Sequence, residues 1–366
     1  METFYRWMRK QNDILIENGK PIGGKRNFDA ENRKFDTKHI QTQHLRYTNI
    51  YREEAKRFYK EHRDKQPITY SIPETIRENK SLFPLDHMQA KQALQFFIDE
   101  HLDHFGRLED AMYTQDQLVY HSILSAAINI GLLTPHEVLH AILQTDTAIQ
   151  NKEGYIRQIL GRREYMYHFF TYYKESIYNQ NYLKHHIPLP KRFREPAQSP
   201  LKMHCIQTTL KTVKEIGYSH HITRLMLIGN FCQLINTNPH DLNKRFREMY
   251  TDAYERVVTP NVLSMSQYAD GGKLATKPYV ASANYVNKMS NHCKNCAYDP
   301  NEKYGPNACP LNYLYRRYVD KNKELFIKGR QPFILKHLEK LDMEKIHTQS
   351  EDFIRSYIHP TDATID

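Results

Sequence analysis

From Phe83 onward apolar residues recur at helical spacing. In MQAKQALQFFIDEHLDHF (88–105), Ala90, Leu94, Phe97, Ile98 and Leu102 fall on one face, the stripe of an amphipathic helix. TPHEVLHAIL carries a helix-start signal: Thr134 at the N-cap, Pro135 at the first helical position, and Glu137 reaching back to the cap. NPHDLNKRFREMYTDAYERV repeats that arrangement with Asn238, Pro239 and Asp241. Strand-like alternation is scarce, no G-x-G-x-x-G follows a strand, and no internal repeat or low-complexity tract is present. The first eighty or so residues are charged and turn-rich, with NGKPIGGKRNFDAENRK (18–34) reading as an ordered loop. HIPLPKRFREPAQSPLK (186–202) reads as a long connection between two helical halves. The pattern predicts an all-α protein, with a loop-rich entry segment over 1–82 and a helical domain over 83–366.

Composition narrows the class. A chain of 366 residues can bury a substantial core, in two domains or one large one. No apolar run approaches membrane-spanning length and no signal-peptide core follows Met1, so a cytoplasmic protein away from membranes is the expectation. The net charge of +10 fits a polyanionic partner such as nucleic acid, and fits a merely basic enzyme as well. Tyrosine is abundant, at 26, whereas tryptophan occurs once, at Trp7.

Three of the five cysteines lie in NHCKNCAYDPNEKYGPNACPLNYLYRR (291–317). Cys293 and Cys296 form a C-x-x-C pair, and Cys309 precedes Pro310. In a reducing compartment such spacing favours a metal over a disulfide. Spacing alone leans towards zinc, with His292 or Cys232 completing four ligands. The C-P ending also occurs in ferredoxin-type cluster binding, where four thiolates hold the irons. Cys205 is a further thiolate candidate. Cys232, inside the apolar LIGNFCQLI, reads better as a small buried hydrophobe.

Further blocks occur in order along nearly the whole chain: WMRKQNDILIENGKPIGGKRNFDAENRK, FGRLEDAM, HSILSAAINIGLLTP, EGYIRQILGRREYM, SHHITRLMLIGNF, TDAYERVVTPN, MSQYADGGKLATKPYVASANYVNKMS and CKNCAYDPNEKYGPNACPLN. Together they resemble the iron–sulfur bacterial branch of the photolyase/cryptochrome superfamily, the bacterial (6-4) photolyases and their cryptochrome relatives. The resemblance implies a helical FAD-binding domain with a C-terminal 4Fe-4S region, its fourth ligand in the stretch matching LKMHCIQTTL. The implied cluster ligands are therefore Cys205, Cys293, Cys296 and Cys309, which overturns the zinc reading. Family members place an antenna chromophore in an N-terminal α/β domain. This chain begins near the entry to the helical part, so the expectation is a fragment or a protein without an antenna.

The resemblance also implies a flavin site. Tyr120, His121, Ser122, Leu124 and Ser125 match the phosphate-binding turn, where N–H groups and hydroxyls meet the pyrophosphate; otherwise the stretch is an ordinary Ser-capped helix. Gln158 and Arg163 lie on the helix packed against the cofactor. Arg224 and Asp252 match the ion pair beside the isoalloxazine, the arginine stabilising the reduced flavin. His221, with His220 before it, matches the histidine beside the lesion, suited to proton movement by its near-neutral pKa. Tyr279 and Tyr285 match the pocket lining; aromatic packing is the plainer role for both. The implied activity is light-driven repair of (6-4) photoproducts in UV-damaged DNA by a monomer, the lesion leaving the stack to reach the flavin. A blue-light sensor on the same scaffold is the alternative. A light-independent nucleic-acid-binding module, similar to the iron–sulfur part of the primase large subunit, is a third reading.

The sequence departs from the family at its tryptophans. Arg26, Arg162, Arg245, Arg256 and Arg316 stand at five of them, and Ala197 at a sixth on the electron route to FAD. Arginine cannot carry a hole as an indole does, and buried cations need carboxylate partners. Substitution in a single direction supports the hypothesis that an arginine codon, one base from that of tryptophan, is read as tryptophan in the source. Val258 is a second departure, standing where relatives carry a carboxylate or asparagine opposite flavin N5.

Overall fold

A computed structural model describes residues 1–32, 35, 40–63, 80–193, 196, 201–329 and 331–358. The described residues are mostly helical; their only paired strands are two antiparallel two-residue pairs, Ile16–Glu17 with Lys20–Pro21 and Tyr47–Thr48 with Lys80–Ser81. The chain forms two compact units, and neither begins at residue 83. The first comprises Met1–Tyr172, Thr212–His220 and Arg247–Val257; the second comprises Tyr173–Lys211, His221–Phe246 and Val258–Asp366.

In the first unit the predicted stripe is the buried one. Ala90, Leu94, Phe97 and Leu102 enter a core with Phe105, Tyr155 and Ile156, and Ile98 packs half-buried against it. Helix His87–Phe96 continues through a π-helical stretch, Phe97–His101, into Leu102–Leu108. Leu102–Leu108 meets Ile149–Ile156 where both surfaces are small. A Cβ on Gly106 would stand 2.6 Å from Asn151 Oδ1 and 2.9 Å from its Cα, so only glycine allows this approach. The freed surface is used: Gly106 N–H donates to Asn151 Oδ1 at 3.0 Å. The Thr134–Glu137 capping box forms as read, on helix Pro135–Leu143.

The entry segment is braced internally through Arg9 and fastened to this body through Glu153. Arg9 is 2% exposed and donates to the carbonyls of Ile14, Leu15 and Arg26. Glu153, fully buried, accepts from Tyr5 Oη at 2.8 Å and from Phe28 N at 3.0 Å. The expected loop over 18–34 is ordered as far as it is described, turning through a hairpin and two single 3₁₀ turns, Ile22–Gly24 and Asp29–Glu31.

In the second unit, helix Pro310–Lys321 packs on Met343–Ile358 through Tyr313 and Phe353, their ring centroids 6.0 Å apart. Phe231 stacks against Phe193 and meets Tyr357 edge-on. Two π-helical stretches, Thr223–Gly229 and Pro260–Ser266, cross at Gly229, where an added Cβ would fall 2.1 Å from Ser266 Oγ. Gln267 Nε2 seals the crossing by donating to the Gly229 carbonyl at 2.9 Å.

One helix reading is corrected. The stretch from Asn238 forms helix Pro239–Met249, and a separate short helix, Glu255–Thr259, follows a break. Asn238 caps His240 N at 2.9 Å, but Asp241 does not close a box: it accepts from Leu189 N instead. Local spacing proposed the reciprocal cap, and a tertiary partner took the carboxylate.

Candidate functional site

Within the first unit, the turn over 118–125 is held in an unusual backbone. Val119 and Ile123 sit at φ 49° and 55°, a left-handed conformation that β-branched residues enter at a cost of roughly 1–2 kcal/mol. They flank Tyr120, His121 and Ser122. Strain retained at a turn clusters at functional sites because surrounding contacts must enforce it. Here the enforcing contacts are visible. Tyr120 Oη bonds to the backbone of Gln41, and its ring stands against His101 and His104. Leu124 is buried in the core. Tyr155 Oη donates to Ser122 Oγ at 2.9 Å, leaving the serine's own O–H available.

The resemblance's residues meet in part. Ser125 Oγ donates to Asp252 Oδ2 at 2.7 Å, and Asn129 Nδ2 donates to the Asp252 carbonyl at 2.9 Å. Residues 127 apart in sequence thus share one spot. This commits the Ser125 hydroxyl to a carboxylate, so Ser122 and backbone N–H groups are the turn's remaining donors. His121 stacks on His220 with ring centroids 4.2 Å apart and planes 16° from parallel. Burial pushes the His121 pKa down to about 4, so its ring is neutral at physiological pH. Gln158 and Arg163 lie on the π-helical stretch Arg157–Arg163. Gln158 returns its amide to the Gly154 carbonyl at 3.4 Å, and Arg163 pairs with the adjacent Glu164.

His221, Arg224, Val258, Tyr279 and Tyr285 belong to the second unit. Arg224 lies on the π-helical stretch Thr223–Gly229 and is half-buried, as are His221, Tyr279 and Tyr285; Val258 is buried. Widened helical turns of this kind recur at functional sites, since each displaces a side chain from the regular register.

Sequence reading passed over Tyr155 and the acidic group around Arg157. Arg157 reaches Asp29 at 2.9 Å, Glu109 at 3.2 Å and Glu153 at 3.5 Å. The available signal was the i,i+4 spacing of Glu153 and Arg157 in EGYIRQ; Asp29 and Glu109 gave none.

In the second unit the four cysteines line one cavity with His292 and Tyr298 among its other walls. Cys293 sits in the 3₁₀ turn His292–Asn295, and Cys296 N donates to its carbonyl at 3.3 Å. The loop to Cys309 is closed by Asp299 N to Asn307 O at 2.7 Å and Cys309 N to Asp299 O at 3.0 Å. Cys205 arrives on helix His204–Ile216. Burial, then the neighbouring Cys296 thiol, pushes the Cys293 thiol up to about 11. Burial pushes Cys309 up to about 12, against a backbone hydrogen bond from Leu311 and with neighbouring thiols adding to it. Among the described residues, no three His, Cys, Asp or Glu side chains converge closely enough to hold a single metal ion. Tetrahedral zinc with 2.3 Å bonds would need sulfurs about 3.8 Å apart. Cys232 is fully buried, as its apolar setting implied.

The five arginines sit in different settings. Arg26 is exposed, so it bears none of the desolvation cost of a buried cation. Arg162 is half-buried on the π-helical stretch Arg157–Arg163. Arg245 is 6% exposed and gives a hydrogen bond to the Phe193 carbonyl at 3.2 Å. Arg256 lies 5.5 Å from the Tyr254 ring centroid. Arg316 donates to the Asn312 carbonyl at 2.6 Å, with burial lowering its pKa. Ala197 lies outside the described residues.

The profile of the family described as deoxyribodipyrimidine photo-lyase-related protein matches residues 1–67. A protein named (6-4) photolyase, from Agrobacterium fabrum (strain C58 / ATCC 33970), is 37% identical over 334 residues, 88% of this chain and 63% of its own length. Uncharacterized protein R855 of Acanthamoeba polyphaga mimivirus is 48% identical over 66 residues, 18% of this chain and 54% of its own. A crystal structure of a bacterial class III photolyase from Agrobacterium tumefaciens is similar at 18% identity and a TM-score of 0.44, covering 73% of this chain and 48% of that one. These matches support a photolyase-related family for the chain. Its matches span less than two thirds of each curated relative's length. Among the described residues, no helix is long and apolar enough to cross a membrane.

Proposed function

We propose that the chain carries out light-driven repair of (6-4) pyrimidine photoproducts in DNA, with reduced FAD as the electron donor. The observation that carries this reading is the 37% identity, over 88% of the chain, to a protein named (6-4) photolyase. The turn over 118–125 supports it: a strained backbone, a serine hydroxyl left to donate, and Asp252 brought to Ser125. Bound FAD supplies the photoexcited electron. Within the first unit, Ser122 and the turn's N–H groups would hold the pyrophosphate, with Asp252 as the family's flavin-side carboxylate; in the second unit, Arg224 and His221 carry the family's roles of flavin-side arginine and proton source only by resemblance. The basic net charge of +10 suits the DNA backbone.

By the same resemblance, the four thiols lining the cysteine cavity would hold a 4Fe-4S cluster. Four thiols on one cavity are a full ligand set for four irons. Val258, buried and apolar, favours a second reading, a flavin-based light sensor without repair.

The test is an absorbance spectrum of anaerobically purified protein before and after blue light with a thiol donor, followed by repair of a lesion-bearing oligonucleotide. Flavin bands that bleach, with repair abolished in His221→Ala, support the proposal. Bleaching without repair favours the sensor. Purified protein without flavin overturns both and leaves a nucleic-acid-binding module.

A further inference from the structure

Beside the four cysteines, His292 is 1% exposed, and neither of its ring nitrogens has a hydrogen-bond partner among the described residues. Its backbone is occupied: the N–H donates to Ser290 Oγ at 3.2 Å, and His204 Nδ1 stands 3.3 Å from its carbonyl oxygen. The ring of His204 meets that of His292 edge to face at 5.5 Å, so that side of the imidazole is covered by another ring. A neutral imidazole always carries one N–H. Leaving that donor buried and unpaired forfeits its hydration with nothing in return, which a folded chain rarely tolerates without cause. The cavity that His292 lines is walled by Cys205, Cys293, Cys296 and Cys309, with Tyr298 as the other polar wall.

We propose that His292 donates its ring N–H to a sulfur of the cluster these cysteines hold and thereby sets the cluster's reduction potential. This rests on the cluster reading given under Proposed function. A ligand role is not needed, because the four thiols already complete a four-iron set; His292 is a positioning residue acting on sulfur. The reduced cluster carries one more negative charge than the oxidised one. A donor aimed at its sulfur stabilises the reduced form more and raises the potential.

The experiment begins with iron and acid-labile sulfide in anaerobically purified full chain, where four of each per chain are expected. A chain that assembles none overturns the cluster reading and this inference with it. Redox titration followed by electron paramagnetic resonance is then run on wild type, His292→Phe and His292→Gln. The Phe variant is expected to shift to a lower potential, cutting the reduced-to-oxidised ratio at a fixed ambient potential about tenfold, about 59 mV for one electron. The Gln variant, which keeps a donor, is expected to recover most of that shift. Equal potentials in all three fully loaded proteins overturn the inference and leave the cluster reading standing. Should His292→Phe fail to assemble, the wild type decides. Pulsed resonance of the reduced cluster with isotope-labelled histidine should show one weakly coupled imidazole nitrogen, whereas no coupling, or the strong coupling of a direct ligand, refutes the proposal.

Discussion

Glu109 should make the stability of the first unit fall as pH rises through the range just below neutrality. It is 8% exposed; Oε1 accepts from Arg157 at 3.2 Å, while Oε2 is buried without a hydrogen-bond partner. Arg157 also serves Asp29 and Glu153, so three carboxylates share one guanidinium. Burial pushes the Glu109 pKa from 4.5 up to about 7, Arg157 opposing and Asp110 adding to the rise. Below pH 4.5 the acid is protonated folded or unfolded. Between 4.5 and 7 the unfolded chain releases the proton while the folded chain keeps it, so stability declines with pH. At 1.36 kcal/mol per pH unit, this interval amounts to about 3 kcal/mol at most. Glu109→Gln removes the titration. Urea melts followed by helical circular dichroism, at half-unit steps from pH 4.5 to 8, should show the variant gaining on wild type by up to that amount as pH rises. Parallel curves for the two proteins would refute the argument and mean that Arg157 holds Glu109 ionised throughout.

Three further outcomes follow from particular contacts. Gly106→Ala should destabilise by about 1–3 kcal/mol, despite alanine's advantage of about 1 kcal/mol in a helix, because the methyl meets Asn151; a higher urea midpoint would sink this reading. Ile123→Gly should stay within about 1 kcal/mol of wild type, since relief of the left-handed strain offsets lost apolar contact; a loss beyond about 3 kcal/mol would show the strain to be absent. If the five arginine codons are read as tryptophan, trypsin leaves the chain uncut after positions 26, 162, 245, 256 and 316, which a peptide map reads directly; cleavage there returns the arginines to the molecule.

Sequence alone determined those features whose cause is local or periodic. The stripe of Ala90, Leu94, Phe97 and Leu102 was legible because a helix repeats its face every few residues whatever it packs against. The Thr134–Glu137 box was legible because all its atoms lie within one turn. The C-x-x-C pair was legible because both thiols lie within one turn, and the ordered blocks pointed to the family. Tertiary structure decided what depends on which surfaces meet. The Asn238 cap looked like the Thr134 cap, but Leu189 claimed Asp241, and no local rule could have named that partner. Ser125 meeting Asp252, His121 stacking on His220, and Glu153 receiving both Tyr5 and Phe28 join residues far apart in the chain. The same holds for His292, ordinary in sequence, whose buried ring nitrogens lack hydrogen-bond partners beside four thiols only once the chain has folded. Short-range preference selects helices at little cost. Burial, which removes water from particular polar atoms, settles which of them must find each other.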